Sequence, residues 1–379
     1  MGTHNPQTSR FFLMTIDPVH IGTGGTRLGR VDLSIVREPG TNLPKIPGTS
    51  FSGAIRSYAA YRYGKRRCAG QGQPGSEKAS HCGRPTCPIC YTFGAITGER
   101  SYSGVVSIGD ARILLFPVYS MAGPVWVTSP MALFDAGFGE KKEDNKIVPF
   151  NIQDGMAKWL NSLTNTKQAK QDQAESSKNN NHGRFLNLGW LMVEKEDDLS
   201  LQDLPDLIPT HIRERVVLVS NKLFSQIVNS NLEVRTSVSI NPETGAAEDK
   251  ALFTYEAIPR ATVLWMDVVV DDYRDKEPWK NSGVVWKAYR EERTNAQGKQ
   301  EVVWHDNDQR GGPLYPDPQN PQQPEQVDGQ PKAWKSARDV VTAGLEWCEH
   351  LGIGGMGTRG FGRVCMVDHQ EVPYDKTHA

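Results

Sequence analysis

Four of the six cysteines in this 379-residue chain fall between Cys68 and Cys90. Cys87-Pro88-Ile89-Cys90 is a C-x-x-C knuckle, with His81 and Cys82 just ahead of it and Cys68 further upstream. Two thiolates so spaced can grip one tetrahedral zinc ion, and two more ligands from the preceding loop close its shell. Cys68, Cys82, Cys87 and Cys90 make a four-thiolate set, and His81 in place of Cys68 makes an alternative. Both sets leave no open coordination position, so the zinc expected here is structural. Free thiols fit poorly with the glycine and proline density of this stretch. A redox C-x-x-C lacks the βαβ context that chemistry needs.

A second candidate site lies near the carboxyl end. Residues 351–364 read LGIGGMGTRGFGRV, with five glycines from Gly352 to Gly360. Glycine accepts positive φ and close backbone approach, and converging N–H groups form anion-binding nests. Gly354, Gly355 and Gly357 are therefore candidate phosphate contacts, and Arg359 and Arg363 supply matching charge. Near the amino end, Ile46-Pro47-Gly48-Thr49-Ser50 precedes apolar residues Phe51, Ile55, Tyr58, Ala59 and Tyr63, which share a helical face. Ser50 is read as the N-cap. The helix start through Gly48, Ser50, Ser52 and Gly53 offers amides and the positive end of a dipole, with Arg56 one turn on. One polynucleotide clasped by its backbone between helix start and glycine loop is the expectation.

Those sites need a frame. Residues 11–16 and 33–36 are read as strands, 105–115 as a strand pair, and 263–270 as a buried strand. Residues 337–351 carry Val340, Val341, Gly344, Leu345, Cys348 and Leu351 on one helical stripe, which assigns Cys348 to packing. Asn241-Pro242-Glu243-Thr244-Gly245 between two strand-like runs predicts a projecting hairpin over residues 232–256. Polar insertions are expected at 162–183, flexible, and at 272–335, with a zinc-binding insertion at 64–104. One α+β domain over residues 1–379 accommodates all of this. Lys+Arg 43 against Asp+Glu 44 excludes a uniformly basic coat and leaves room for local patches. No apolar run reaches membrane-spanning length, so a soluble, cytoplasmic protein without membrane partners is expected.

Three segments read together resemble a known family. They are His20-Ile21-Gly22-Thr23-Gly24-Gly25, then Val31-Asp32-Leu33-Ser34-Ile35-Val36-Arg37-Glu38, then Ile46-Pro47-Gly48-Thr49-Ser50-Phe51-Ser52-Gly53-Ala54-Ile55-Arg56. With the glycine loop, they are similar to the RAMP superfamily, the repeat-associated proteins of CRISPR systems. Leu115-Phe116-Pro117-Val118-Tyr119-Ser120 and Trp126-Val127-Thr128-Ser129-Pro130 narrow the likeness to backbone subunits of type III interference complexes.

The resemblance implies an RRM-like, ferredoxin-like palm, with the 232–256 hairpin as a thumb that wedges into a guide–target duplex. It implies three partners: a CRISPR guide RNA, a complementary target RNA and other type III subunits. Asp32 matches the aspartate with which active members cut target RNA, with magnesium or another divalent metal assisting. His20 matches a family histidine beside that loop, read either as an RNA contact or as a satisfied structural histidine, and Arg235 on the hairpin joins the RNA-binding set. Ser52 stands where many relatives carry a lysine. The function implied is an endoribonuclease subunit that binds guide RNA and positions and cleaves target RNA. The alternative is a non-catalytic subunit that only holds the guide.

Overall fold

The computed structural model describes residues 6–24, 31–70, 81–83, 87–97, 100–142, 146–161, 185–196, 198–200, 204, 208–238, 240–247, 252–271, 289–294, 298, 300–305, 326–327, 330–331 and 336–372. The elements used below are strands β1 (Gln7–Thr15), β2 (Ala111–Val118), β3 (Val125–Thr128), β4 (Met156–Asn161), β5 (Phe185–Leu188) and β6 (Leu191–Lys195). They continue with β7 (Val216–Val219), β8 (Glu233–Ser237), β9 (Phe253–Ala257), β10 (Val263–Val270) and β11 (Val364–Val372). The helices are α1 (Gly48–Arg62), α2 (Pro88–Phe93), α3 (Asn221–Ser230) and α4 (Ala337–Leu351).

The fold is a mixed α+β arrangement around a 12-stranded sheet whose main path runs β5-β6-β4-β7-β3-β2-β10-β1-β11. One end of that path, β2-β10-β1-β11, is antiparallel throughout, with Phe11 opposite Met266, Phe12 opposite Trp265 and Leu13 opposite Leu264. Phe11, Phe12 and Leu13 are all fully buried, because both faces of the sheet are covered. Phe11 and Leu13 share a core with Phe51 and Ile55 of α1 and Val341 and Leu345 of α4. Phe12 and Trp265 point the other way, into a core with Trp126, Leu160, Val216 and Leu218. Each such buried side chain contributes about 2 kcal/mol of transfer free energy.

α4 opens with a capping box, the Ser336 hydroxyl accepting from the Asp339 amide and the Asp339 carboxylate accepting from the Ser336 amide. α1 and α4 approach closely at Gly344, where a Cβ would sit 2.2 Å from the Ile55 carbonyl oxygen.

The start of α1 corrects the expectation for Ser50. Pro47 is the N-cap, at φ −57°, and Ser50 lies inside the first turn. The Gly48 amide donates to Asp110 Oδ1 at 2.8 Å, and the same carboxylate pairs with Lys45. A Cβ on Gly48 would meet the Ile108 carbonyl oxygen at 2.1 Å. A carboxylate therefore already occupies the positive end of this helix, and Gly48 is packed against backbone rather than open to a phosphate.

Residues 33–36 form isolated bridges, Leu33 to Tyr255 and Ile35 to Gly22, in place of a continuous strand. The 162–183 insertion lies outside the described residues. Within 272–335 the described part comprises two antiparallel pairs, Tyr289–Thr294 with Gln300–His305 and Gln326–Val327 with Gln330–Pro331. Among the described residues, no helix is long and apolar enough to cross a membrane.

Candidate nucleic-acid interface and cysteine cluster

β8 and β9 pair with Arg235 opposite Tyr255 and Thr236 opposite Thr254, and an Ile240–Ala247 bridge extends the hairpin towards its Asn241 turn. Asn241 Oδ1 accepts from the Glu243 and Thr244 amides, which is why Asn-Pro-Glu-Thr-Gly makes a compact tip. Val234, Val238, Ile240 and Leu252 are exposed along this arm.

Asp32 is held at the hairpin root. Its Oδ2 accepts from the Thr254 amide at 2.7 Å and from the Thr254 hydroxyl at 2.9 Å. The Asp32 amide in turn donates to Thr254 Oγ1 at 3.2 Å. These bonds, the amide's first, hold the exposed carboxyl below the usual carboxylate range. The neighbouring backbone is stitched to the same strand: Leu33 N–H donates to the Thr254 carbonyl and Glu256 N–H to the Leu33 carbonyl. The buried Glu256 carboxylate takes the Ile35 amide and both arms of Arg37. Asp32 thus stands on a fixed base while Oδ1 carries no hydrogen bond among the described residues.

The glycine loop closes over that root. Phe361 packs edge-on against Tyr255, with centroids 5.5 Å apart, and Phe253 lies 5.9 Å from Tyr255. Arg359 sits over Phe253 at 5.2 Å and Arg235 over Phe361 at 4.6 Å, so two exposed guanidiniums are oriented by aromatic faces.

Below them opens a cleft of about 440 Å³ lined by Asp17, Glu233, Arg235, Arg260, Gly360 and Arg363, among others. Arg363 pairs with both oxygens of Asp17, at 2.5 and 3.1 Å, which holds the Asp17 carboxyl below its ordinary range. Arg235 pairs with Glu233 at 2.6 Å. Arg260 has no hydrogen bond or ion pair among the described residues.

The loop is more self-satisfied than a free amide nest. Gly352, Ile353, Gly355, Arg359, Gly360 and Gly362 all donate their amides inside the protein, the Gly355 amide to the His20 carbonyl at 3.0 Å. Gly354, at φ +79°, is wedged against that carbonyl, where a Cβ would come within 2.5 Å. Gly357 and Gly360 are open, with nothing within 4 Å of a built Cβ. His20 is 5% exposed, its Nδ1 2.7 Å from the Glu256 carbonyl and its ring edge-on to Tyr255. Its geometry is that of a brace between hairpin root and glycine loop, which favours the structural of its two readings. On α1, Gly53 is exposed and open while Ser50 and Ser52 are half-buried.

Arg56 departs from expectation. Its Nε donates to the Cys68 carbonyl at 2.8 Å and its Nη1 to the Phe93 carbonyl at 3.2 Å, turning the guanidinium inward, away from any phosphate. Packing of α1 beneath the cysteine loop is the reason, since Ser57 also donates to the Ala69 carbonyl there.

The four sulfurs of Cys68, Cys82, Cys87 and Cys90 converge within 4.8 Å of one another. Three of the separations are 3.6 Å for Cys82–Cys90, 3.6 Å for Cys68–Cys90 and 3.9 Å for Cys68–Cys87. Four thiolates at about 2.3 Å from a central zinc would be ~3.8 Å apart, so the set can hold a metal ion with little rearrangement. Cys68, Cys87 and Cys90 are buried, and burial pushes the Cys87 thiol up.

His81 is not part of the set. Its Nδ1 accepts from the Ile96 amide at 2.9 Å, which puts the ring proton on Nε2 and removes that atom as a ligand. Burial, first, and Arg56 nearby lower its pKa to about 4 and keep the ring neutral.

Sequence reasoning missed Thr254, Phe253, Tyr255, Phe361 and Arg260 as parts of this site. The sole signal was their place after the hairpin and within the glycine loop; the contacts of Thr254 with Asp32 and of Tyr255 with Phe361 each join segments more than 100 residues apart.

The RAMP superfamily model matches residues 12–365. A curated protein of Pyrococcus furiosus, CRISPR system Cmr endoribonuclease Cmr4, is 28% identical over 269 residues, covering 68% of this chain and 80% of that protein. Among solved structures, oligomeric Cmr4 from Pyrococcus furiosus is 18% identical over 97% of this chain and 100% of that one, at a TM-score of 0.47. A chain in the cryo-EM structure of the type III-B Cmr-beta complex bound to cognate target RNA is 14% identical, covers 78% of this chain and 96% of that chain, and has a TM-score of 0.46. With the family model spanning nearly its whole length, this chain belongs to the RAMP superfamily.

Proposed function

We propose that this chain is a guide-RNA-binding backbone subunit of a type III CRISPR effector complex, one that positions complementary target RNA and cleaves it. The observation that carries the reading is Asp32, an exposed carboxylate clamped by Thr254 at the root of the 232–256 hairpin. Family membership and the Cmr4 likeness agree with it. In this reading β2-β10-β1-β11 with α1 and α4 is the RRM-like palm and the hairpin is the thumb.

A thumb inserted into a guide–target duplex displaces a nucleotide, and the adjacent phosphate then faces the hairpin root. There the chain's own groups have distinct tasks. Arg235, Arg359 and Arg260 carry positive charge towards the phosphates. Thr254 holds one Asp32 oxygen and leaves Oδ1 to orient or accept the proton of the attacking 2′-hydroxyl. A magnesium or similar divalent ion, when bound, would draw charge from the scissile phosphate, and a single carboxylate is a common anchor for it. Gly357 and Gly360 let a backbone approach closely. The four cysteines hold a structural zinc.

The test uses the assembled complex with end-labelled target RNA. Asp32→Asn is expected to abolish cleavage at one or more positions while target binding stays within about two-fold. Unchanged cleavage removes Asp32 from the reaction and leaves a subunit that only holds its guide.

A further inference from the structure

Arg56 of α1 sits against the cysteine loop by its own hydrogen bonds, whereas Arg62, further along the helix, bonds to Ala343 and Glu346 of α4. Cys68 belongs to one arm of the cysteine loop, and Phe93 closes α2, the helix whose start carries Cys87 and Cys90. One guanidinium therefore ties both arms to α1. The third nitrogen, Nη2, is buried without a hydrogen-bond partner among the described residues, and all four cysteines act electrostatically on this guanidinium.

A buried guanidinium with an unused N–H is costly unless negative charge lies beside it. Four thiolates around one zinc ion leave two net negative charges, and that centre is also costly to bury without a cation close by. Each group supplies what the other lacks.

We propose that Arg56 is the counter-charge of the zinc centre, a positioning residue that holds both arms of the loop and lowers the cost of keeping four thiolates buried. The proposal rests on the zinc reading above. It assigns to the metal site a residue whose motif position pointed to RNA. Groups in the shell behind a metal's ligands tune affinity by about 10- to 100-fold, which sets the size of effect to expect.

The experiment uses the full chain purified with its metal. Zinc content is measured first by mass spectrometry; a parent protein without zinc sinks the zinc reading itself. With zinc present, the rate of its release to a chromogenic chelator is compared in the parent, Arg56→Gln and Arg56→Lys. Release about 10- to 100-fold faster in Arg56→Gln, with Arg56→Lys close to the parent, supports the proposal. Equal rates in the parent and Arg56→Gln overturn it. Equally fast loss from Arg56→Gln and Arg56→Lys also overturns it, since the carbonyl bonds and not the charge would then matter.

A charge-compensation cycle tests the same coupling independently of the carbonyl bonds, which Arg56→Gln lacks with and without the second change. Cys82→His exchanges one thiolate for a neutral imidazole, so the centre needs less positive charge near it. The cobalt-substituted forms report the site through the thiolate-to-cobalt absorption band. Cys82→His is expected to slow metal loss in the Arg56→Gln background relative to Arg56→Gln alone, and to speed it in the parent. The same change in both backgrounds means no coupling and refutes the assignment.

Discussion

In the cysteine cluster a guanidinium, Arg56, is turned inward onto two carbonyls beside four sulfurs. At the hairpin root Arg235 and Arg359 lie exposed over the rings of Phe361 and Phe253. The first cation is held by backbone carbonyls; the second two lie over aromatic faces at the surface, Arg235 also paired with Glu233 through Nε, where another partner can reach them. The carboxylates follow the same division. Asp110 is engaged by the first amide of α1 and by Lys45, whereas Asp32 is held through one oxygen only. One region is closed and serves stability; the other is open and poised for a polyanion.

Several substitutions would break or sharpen this contrast. The largest effect is expected from Asp32→Ala in the assembled complex, a loss of about 100-fold or more in target cleavage at unchanged affinity, as is usual when a proton-handling group is removed. A quantitative gel assay with trapped and chased target checks it.

Next comes Cys87→Ser in the closed region. Losing one ligand of a buried metal set belongs with the severe class of mutations, about 3–5 kcal/mol, and would appear as lower zinc content and a lower denaturation midpoint. Equal stability would mean the cluster holds no metal of consequence. Gly344→Ala drives a methyl into the Ile55 carbonyl and is expected to destabilise by about 1–3 kcal/mol in chemical denaturation. Gly53→Ala has open space and lies within α1, so it should stabilise by up to about 1 kcal/mol.

In the open region, Arg260→Gln should weaken RNA binding at low salt and reduce the slope of log K against log salt by about 0.7–1. An unchanged slope would remove Arg260 from the interface.

The smallest effect concerns pH. The Asp32 carboxyl lies below its ordinary value because Thr254 bonds to the charged form. Those bonds are therefore complete above the usual carboxylate range and weaken as pH falls through the lowered value. Cleavage should show no inflection from Asp32 between about pH 5 and 8, given an unperturbed carboxylate near 3.9. Thr254→Val removes the hydroxyl bond and should move the Asp32 carboxyl upward in a carbon-13 titration.

Much of the frame was legible from local pattern. The predicted strand 263–270 and helix 337–351 coincide with β10 and α4, the strand because its unbroken apolar run is buried on both faces and the helix because its apolar stripe makes one buried face. The hairpin announced itself through its Asn-Pro-Glu-Thr-Gly turn, and the cysteines through their spacing. Both are short-range chemistry, in which the residues that interact are neighbours along the chain.

What pattern could not supply was direction. That Arg56 turns onto the Cys68 carbonyl, that Asp110 takes the amide of Gly48, that His81 accepts from Ile96 through Nδ1, and that Thr254 grips Asp32 all depend on contacts between segments about ten to hundreds of residues apart. A side chain's rotamer and charge partner are set by the packing that surrounds it, and that packing exists once the sheet and its two helices have closed.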